Sequence, residues 1–334
     1  SDVYKRQDMN ALTRRTACLA LASLACMRHA TAQQAQPWPS RPIRVIVPAP
    51  PGGAYDATMR PLAQALSNAL GQPVVIENRP SGGNVVGAQA GARSVPDGYT
   101  LTMTGMVNTI SAGLYDNLSF DIVEDFSHIG SIGAAAQWLV VRSDSGYADL
   151  PALLDRARRE PGRIDYASSG AGSTGHLLME MLQRAAGISL THVPYKGGAP
   201  ALQDVLGGVV SVIVVPPNTA IPHVHAGKLK VLAVSSAQRS NALPGVPTFS
   251  ELGYPQLMAS SWVGLSAPKG TPEPIVQILS RALAKALEDP ALRARLETDG
   301  MTPQTLSPAQ YTALVRSDTE RWGQLTRSLQ LKAQ

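Results

Sequence analysis

The chain has 334 residues, of which 44% are hydrophobic and 16% are charged, a balance typical of a globular protein rather than a disordered one. Its formal net charge is +5, but residues 1–32 hold five basic and two acidic side chains, so the remainder carries 24 basic against 22 acidic residues. The chain after residue 32 is thus nearly neutral and has no basic stripe, so we do not expect it to bind nucleic acid. With 29 Gly, 26 Pro and only 5% aromatic residues, the sequence indicates many short elements joined by short loops.

The first residues predict an export signal. Residues 1–8 precede Met9, the expected start, and are interpreted as an upstream extension. After a basic pair at Arg14–Arg15 comes an apolar run, too short for a transmembrane helix of about 20 residues, and then an A-x-A site that predicts cleavage after Ala32. Both cysteines precede this site, so we expect no disulfide in the mature chain. We therefore expect a soluble periplasmic protein, with lipidation at Cys26 and twin-arginine export as weaker alternatives.

Strands and helices alternate from Arg41 onward. Ile43–Val47 is predicted as a strand, and Met59, Leu62 and Leu66 recur at helical spacing in a helix from about Asp56 to Leu70. The other elements predicted in this part are strands at 74–77 and 99–104 and a helix at 85–93. Strand, Gly-rich turn, helix, strand is the order of a doubly wound parallel sheet.

A second set of such units follows. The predicted strands are 137–141, 164–167, 190–193, 209–215 and 231–234, and the predicted helices are 151–159, 176–186 and 199–206. Three more helices follow at 272–287, 290–298 and 308–329. Each opens with a capping residue and proline, which is a favoured start for a helix. The pairs are Thr271–Pro272, Asp289–Pro290 and Ser307–Pro308.

Three loops lie between a strand and the helix that follows, at Pro48–Asp56, Ser81–Val86 and Ser168–Gly175. In an open parallel sheet, ligands bind beyond the carboxyl ends of strands, where helix N-termini present unpaired N–H groups. Glycine lets the backbone approach a ligand, and Ser or Thr hydroxyls add uncharged donors. Any one loop taken alone is better explained as a simple turn, but together the three favour an anion site.

Enzymatic alternatives were weighed on the same residues. Gly170–Gly175 has the form G-x-G-x-x-G of a dinucleotide site, but no acidic residue ends the following strand to hold a ribose. Ser173 and His176 suggest a hydrolase, but the first Gly of G-x-S-x-G is absent. The histidines lack metal-ligand spacing, including His192 and the H-x-H pair ending at His225. We therefore expect no catalytic residue, no metal and no cofactor.

Several segments point together to one family. These segments are Trp38–Pro48, Pro51–Gly53 with Asp56, Glu77–Pro80, Pro96–Leu101, Ser168–Gly170 with His176–Leu177, His192–Gly197, Ala226–Leu229, Gly245–Thr248 and Ser260–Trp262. In combination they make the chain similar to the Bug-type receptors of tripartite tricarboxylate transporters, over essentially the whole mature chain.

The resemblance implies an α/β, two-lobed periplasmic-binding-protein (Venus flytrap) fold, in which each lobe is a doubly wound, mostly parallel sheet. Residues 33–138 plus 260–334 would form the first lobe and 139–259 the second, with hinges near 137–143 and 235–261. The ligand would be a small carboxylate, held by closure of the lobes. Expected partners are membrane transporter subunits or a sensor protein, and the receptor is expected to be a monomer.

The resemblance also implies a set of ligand-binding residues. They are Gly53, Ala54, Tyr55, Asp56, Ser81, Thr104, Met106 and Asn108 in the first lobe, and Ser168, Ser169, Ser173, Thr174 and Asn218 in the second. Asp56 has helix capping as an equal alternative. Two departures from the family pattern stand out. Val215–Pro216 replaces a common Asp-Asn pair, with Asn218 a little later, and Tyr55 replaces a smaller residue, which hints at an altered ligand.

Overall fold

The computed structural model describes residues 38–115, 117–195, 197–240, 242–329 and 331, so the predicted signal segment lies outside the described residues. Its strands are β1 (Ile43–Val47), β2 (Val74–Asn78), β3 (Thr100–Gly105), β4 (Phe126–Ala136), β5 (Trp138–Arg142), β6 (Asp165–Ser168), β7 (Thr191–Pro194), β8 (Val212–Val215), β9 (Leu229–Val234), β10 (Ser260–Pro268) and β11 (Thr302–Pro303). Its helices are α1 (Ala54–Leu70), α2 (Val85–Ala92), α3 (Met106–Leu114), α4 (Leu150–Arg159), α5 (Thr174–Ala186), α6 (Gly198–Leu206), α7 (Pro217–His225), α8 (Glu273–Leu287), α9 (Pro290–Thr298) and α10 (Pro308–Ser328). In this part of the chain, no helix combines the length and apolarity that a membrane span requires.

The strands form two sheets. The first has the order β11-β4-β10-β3-β1-β2 and the second has the order β7-β6-β8-β5-β9. We refer to the first sheet with α1–α3 and α8–α10 as the first lobe, and to the second sheet with α4–α7 as the second lobe. The elements thus alternate as an α/β fold requires.

The two sheets are mixed, so the expectation of mostly parallel sheets is wrong in this detail. Strands β1, β2 and β3 pair in parallel, as do β6, β7 and β8. In contrast, β4, β10 and β11 pair antiparallel in the first sheet, and β5 pairs antiparallel with β8 and β9 in the second. The parallel pairs lie among strands that a helix connects along the chain, because a parallel neighbour needs a crossover connection of a dozen or more residues.

The chain passes between the two sheets at Gln137, which joins β4 to β5, and again between Ser235, which follows β9, and Ala259, which precedes β10. The hydroxyl of Ser235 accepts the N–H of Gln137 at 2.7 Å and donates to the carbonyl of Ala259 at 2.5 Å. The N–H of Ser235 also donates to the carbonyl of Gln137 at 2.9 Å. The buried Ser235 hydroxyl therefore connects the segments in which the chain crosses between the sheets.

Strand β5 shows why the second sheet needs helices on both faces. Trp138 and Val140 face one hydrophobic cluster, while Leu139 and Val141 face another, and all four are fully buried. Side chains alternate across a strand, so a run that is apolar at every position must be covered on both sides. Helices α6 and α7 cover the first face, and α4 and α5 cover the second.

Helix starts follow the sequence signals in two of the three predicted cases. Asp289 and Ser307 accept backbone N–H groups from the first turns of α9 and α10. Thr271 does not cap α8, because its hydroxyl donates to the carbonyl of Pro268 at 2.8 Å and Pro272 itself occupies the cap position.

Several elements differ from the expected ones. Strands β4, β10 and β11 and helices α3 and α7 are present where no such element was predicted. The strand expected at 209–215 begins only at Val212, since the preceding residues form a turn in which Val209 is 66% exposed. An exposed turn cannot continue the buried ladder of β8.

Candidate functional site

Helices open directly after the parallel strands of both sheets. In the first lobe α1, α2 and α3 follow β1, β2 and β3, and in the second lobe α5, α6 and α7 follow β6, β7 and β8. The first backbone N–H groups of a helix have no partner within the helix and lie at its partly positive end. Each lobe therefore presents a row of uncharged donors at the carboxyl edge of its parallel strands, where open α/β sheets bind ligands.

Asp56 anchors the first loop. Its carboxylate is 1% exposed and accepts hydrogen bonds from the N–H of Gly52 (2.8 Å), from Nε and Nη2 of Arg60 (2.7 and 3.0 Å) and from Nδ2 of Asn78 (3.0 Å). Burial by itself would raise the pKa of this carboxyl, but these hydrogen bonds outweigh it and hold the pKa below its ordinary value. Four donors fill the acceptor capacity of a carboxylate. The capping alternative is wrong in position, because Gly53 is the cap and Asp56 lies within the first turn.

Tyr55, which follows the first loop, packs its side chain against the end of β3. A Cβ built on Gly105 would lie 2.2 Å from the Tyr55 hydroxyl, so a glycine is needed for this close approach. The hydroxyl is buried and has no well-formed hydrogen bond among the described residues. Burial raises the pKa of this phenol far above its ordinary value, and the nearby Asn84 side chain offsets only part of the rise. Tyr55 is therefore a protonated donor at the point where all three loops of the first lobe meet.

Asn108 provides a second buried donor beside the same glycine. Its Oδ1 accepts the N–H of Gly105 at 3.0 Å, which fixes the orientation of the amide. Its Nδ2 is buried and, within the described part of the chain, has no hydrogen-bond partner. A buried donor without a partner costs free energy. Asn108 and Tyr55 thus define a small patch of unused donors at the N-terminus of α3.

The other predicted residues of the first lobe use their side chains within the protein. Thr104 bonds through its hydroxyl to Ser266 (2.8 Å) and Tyr311 (2.9 Å). Met106 is 1% exposed in the hydrophobic core, and the hydroxyl of Ser81 accepts a backbone N–H from the first turn of α2. What Met106 can offer a ligand is its backbone N–H, the first of α3.

Gly53 and Ala54 form the cap and the first residue of α1, and Ala54 is exposed. The N–H of Gly53 donates to the carbonyl of Pro50 at 3.1 Å. The N–H groups of Ala54 and Tyr55 are the orphans of this helix start and can serve a ligand.

The loop from β6 to α5 forms the corresponding part of the second lobe. Ser173 is the N-cap of α5 and accepts the N–H of His176 at 3.3 Å. Ser168 is buried and its hydroxyl bonds to the backbone of Gly170. Ser169 is exposed, whereas Thr174 is 6% exposed. The four predicted residues are brought together on one loop, and Ser169 is the most accessible of them.

The glycine pattern of this loop has a packing explanation. Gly172 has φ +76° and lies so close to Leu114 of α3 that an added Cβ would be 1.9 Å from its Cδ1. A Cβ on Gly175 would lie 2.4 Å from the carbonyl oxygen of Val214. One glycine thus permits contact with the other lobe and the next permits close helix–strand packing, which accounts for the G-x-G-x-x-G spacing.

Asn218 lies in the first turn of α7 and is half-buried. Its Oδ1 accepts the hydroxyl of its neighbour Thr219 at 3.3 Å. Asn218 therefore lies at one of the helix N-termini of the second lobe. Among the described residues, no hydrogen bond joins it to the loop from β6 to α5.

Two further contacts join the lobes. Arg184 of α5 donates to the carbonyl of Ser328 at the end of α10, at 2.7 Å. Gly300, which precedes β11, packs so tightly on Pro217 of α7 that an added Cβ would be 2.2 Å from the proline ring. The site loops therefore lie at a boundary where the lobes already touch.

Three contributors escaped the sequence reasoning. Asn84 lies beside Tyr55 in a left-handed conformation, with φ 59°. Gly105 was not singled out, because it is the last residue of β3 and its close approach to Tyr55 depends on a loop from another part of the chain. His192 hydrogen-bonds to Ser168 from the neighbouring strand β7. Only the Gly-Gly-Asn run before α2 carried a local signal, because Asn and Gly favour left-handed backbone.

Two sheets, each with its own helices, joined by paired crossings and facing donor-rich loops, define a two-lobed solute-binding protein. The family model for the tripartite tricarboxylate transporter family receptor matches residues 58–331. The chain belongs to this family, which confirms the resemblance and the two-lobed α/β fold class.

Among curated relatives, protein BugT of Bordetella pertussis is 37% identical over 295 residues, which is 88% of this chain and 90% of that protein. The solved structure of the periplasmic binding protein BugD has a TM-score of 0.80 and 31% identity, covering 89% of this chain and 100% of that one. The structure of R. palustris Rpa4515 with adipate has a TM-score of 0.82 and 31% identity, with the same coverages. These similarities are to solute-binding receptors.

Proposed function

We propose that this receptor is exported to the periplasm, captures a small carboxylate between its lobes by hinge closure and delivers it to a membrane transporter. The observation that carries the proposal is the donor patch of Tyr55 and Asn108 beside Gly105. A carboxylate is acceptor-only when ionised, so it complements a patch whose unused groups are an O–H donor and an N–H donor. Adipate in the structure of a relative supports this ligand class.

Uncharged donors suit a receptor that must also release its ligand. In the first lobe the carboxylate of Asp56 has its acceptor sites filled by Gly52, Arg60 and Asn78. The carboxylate of Glu77, at the end of β2, pairs with Arg44 and Arg79. An ammonium group of an amino acid would find no partner there, and leaving it unpaired on burial is costly. We therefore expect carboxylates without an α-amino group to bind best.

Closure completes the site. The second lobe adds Ser169 and the N-terminus of α5, so both lobes are needed to saturate a ligand. We propose that the hinges lie at Gln137 and at Ser235–Ala259, because the chain passes from one sheet to the other at these positions. The ligand then shifts the population toward the closed form by binding that form more tightly. No bond is made or broken, so the protein acts as a binding protein and not as an enzyme.

The test is thermal unfolding of the chain from residue 33 onward, refolded to remove carried ligand, against adipate, shorter dicarboxylates, monocarboxylates, amino acids, NAD and NADP. A ligand at 100 times its Kd adds about 2.7 kcal/mol of stability, which gives a measurable shift. The expected result is a shift with one or more carboxylates. A shift with dinucleotide alone, or with nothing in the panel, contradicts the proposal.

Asn108→Asp provides a site-specific control. It keeps the oxygen that accepts from Gly105 but replaces the Nδ2 donor by an acceptor. Asn68→Asp makes the same change on the exposed end of α1, where Asn68 bonds only to Gln64 among the described side chains. The carboxylate shift should disappear in Asn108→Asp and persist in Asn68→Asp.

A further inference from the structure

Two histidines lie stacked behind the second-lobe loop. The rings of His176 (α5) and His192 (β7) are parallel to within 7°, with centroids 4.0 Å apart. The ring of Tyr166 (β6) lies close to both, with its centroid 4.9 Å from that of His192 and 6.4 Å from that of His176. His176 is 5% exposed. The three rings form one packed cluster near the carboxyl end of β6.

Each imidazole holds one end of the loop. Nε2 of His192 is 2.7 Å from the hydroxyl of Ser168, where the loop begins. Nδ1 of His176 accepts the N–H of Gly172 at 3.0 Å, four residues further on. Gly172 is the residue that contacts Leu114 of the other lobe. The stack therefore fixes both the start of the loop and its point of contact with the first lobe.

We propose that His176 and His192 are positioning residues for ligand capture: as a neutral pair they hold the loop from Ser168 to Gly172 in its binding shape, and protonation of the pair releases it. This inference rests on the proposed function of the loop. Neither ring needs to touch the ligand, because each acts through a backbone or hydroxyl group of the loop.

The geometry explains why the pair must be neutral. A proton on Nδ1 of His176 would point at the N–H of Gly172 and remove the acceptor that the loop uses. Two imidazolium rings 4.0 Å apart would also repel each other. The pKa of both histidines is lowered to about 4, chiefly by burial. For His192 the neighbouring His176 contributes to this lowering. The pair is thus neutral at neutral pH.

The charged and titratable groups around the pair are few. Glu180 of α5 places Oε1 3.8 Å from Nε2 of His176, and the same oxygen accepts the hydroxyl of Tyr166 at 2.6 Å. Asp165, next to Tyr166 on β6, is turned away and accepts the N–H of Ser211. Strand β8 and the turn Pro255–Leu257, which also pack against α5, contain no titratable residue.

The test compares shape-matched variants. His176→Phe keeps the stacked ring but removes the acceptor, whereas His176→Asn supplies an amide oxygen where Nδ1 stood. His192→Phe and His192→Gln form the corresponding pair for Nε2. Loss of the hydrogen bond to the loop should weaken binding of adipate, or of the panel carboxylate with the larger shift, by about 10-fold or more in the Phe variants. The Asn and Gln variants should recover most of the affinity.

Calorimetric Kd values from pH 7.5 to 3.5, a range that crosses the lowered pKa of the two histidines, distinguish a positioning role from a purely structural one. Folding is checked by circular dichroism at each pH. The ligand itself titrates in this range, so the informative quantity is the ratio of wild-type to His176→Asn affinity. This ratio should fall toward acid pH, because the amide cannot be protonated. A ratio that stays constant, or a His176→Phe protein that binds like the wild type, overturns the inference.

A second readout needs no ligand. The Gly172 amide should be protected from hydrogen exchange at pH 7 in the wild type and in His176→Asn, and exposed in His176→Phe. Equal protection in all three overturns the inference even if no panel compound binds. Failure of the wild type to bind any carboxylate, with the protection pattern as expected, instead counts against the proposed function alone.

Discussion

Replacing Tyr55 by Phe is expected to change stability and affinity in opposite directions. In the protein without ligand, the hydroxyl is buried beside Gly105 and has no well-formed hydrogen bond among the described residues. An unsatisfied buried hydroxyl costs about 1–3 kcal/mol. The phenyl ring fills the same space, so Tyr55→Phe should raise the free energy of unfolding by about 1 kcal/mol, which corresponds to roughly 2 °C in Tm for a chain of this size.

The bound state should respond the other way. A hydrogen bond to a charged group contributes about 1.5–3 kcal/mol. If the Tyr55 hydroxyl donates to a ligand carboxylate, its removal should weaken binding by about 10- to 100-fold, since 1.4 kcal/mol is a factor of ten. Calorimetry gives the affinity, and denaturant unfolding without ligand gives the stability.

Tyr311→Phe is the matched control for stability. Tyr311 is equally buried in the same lobe, but its hydroxyl bonds to Thr104 at 2.9 Å. Removing a partnered hydroxyl should lower the free energy of unfolding, by about 1 kcal/mol. Unchanged affinity together with lower stability in Tyr55→Phe would refute the reasoning, because the hydroxyl would then be a satisfied structural group.

Three further predictions follow from buried polar groups and close contacts. Asp56→Asn should cost about 2 kcal/mol at pH 7, because a neutral amide replaces the buried carboxylate that accepts hydrogen bonds from Gly52, Arg60 and Asn78. The loss relative to wild type should shrink in denaturant titrations as pH falls through the lowered pKa of Asp56, and a pH-independent difference would contradict this. Gly172→Ala should weaken ligand binding by about 10-fold or more, because a Cβ there would clash with Leu114 and the φ of Gly172 is positive. The double variant Gly172→Ala, Leu114→Ala should recover part of the affinity. If the affinity does not recover, the contact with Leu114 does not affect binding. The stability of the wild type should fall between pH 6.5 and 4, because three histidines have pKa values lowered to about 4 chiefly by burial. The unfolded chain therefore binds protons in this range that the folded chain does not, and the loss is on the order of 3 kcal/mol for each fully buried histidine. A flat pH profile of the free energy of unfolding in urea would contradict this prediction. These histidines are His128, His176 and His192.

Local signals were sufficient for most elements because they act within a few residues. The spacing of Met59, Leu62 and Leu66 defines α1, and Gly71, with φ 68°, ends it. The alternation of strand, Gly-rich turn and helix identified the loops that lie at the carboxyl ends of the parallel strands. The family followed from motifs spread along the chain, and its family model confirms it.

Strands β4 and β10 show what local signals leave open. Their glycines disfavour strand on intrinsic propensity. In the structure a Cβ on Gly264 of β10 would lie 2.4 Å from the carbonyl oxygen of Gly130 in β4 and equally close to the ring of Tyr311. These residues are small because α10 packs closely over the pair, and that helix lies far away in the sequence. Only the assembled sheet explains them.

The same division applies to the site. Local sequence predicts the helix caps at Asp289 and Ser307, the Gly- and Ser-rich loops and the lack of an acidic residue directly after β8. Which side chains remain available depends on the fold. Asp56 and Thr104 are saturated by neighbours from other elements, while Tyr55 and Asn108 keep buried, unused donors. Hydrogen-bond satisfaction depends on groups brought together from distant segments, and a linear pattern does not contain their distances.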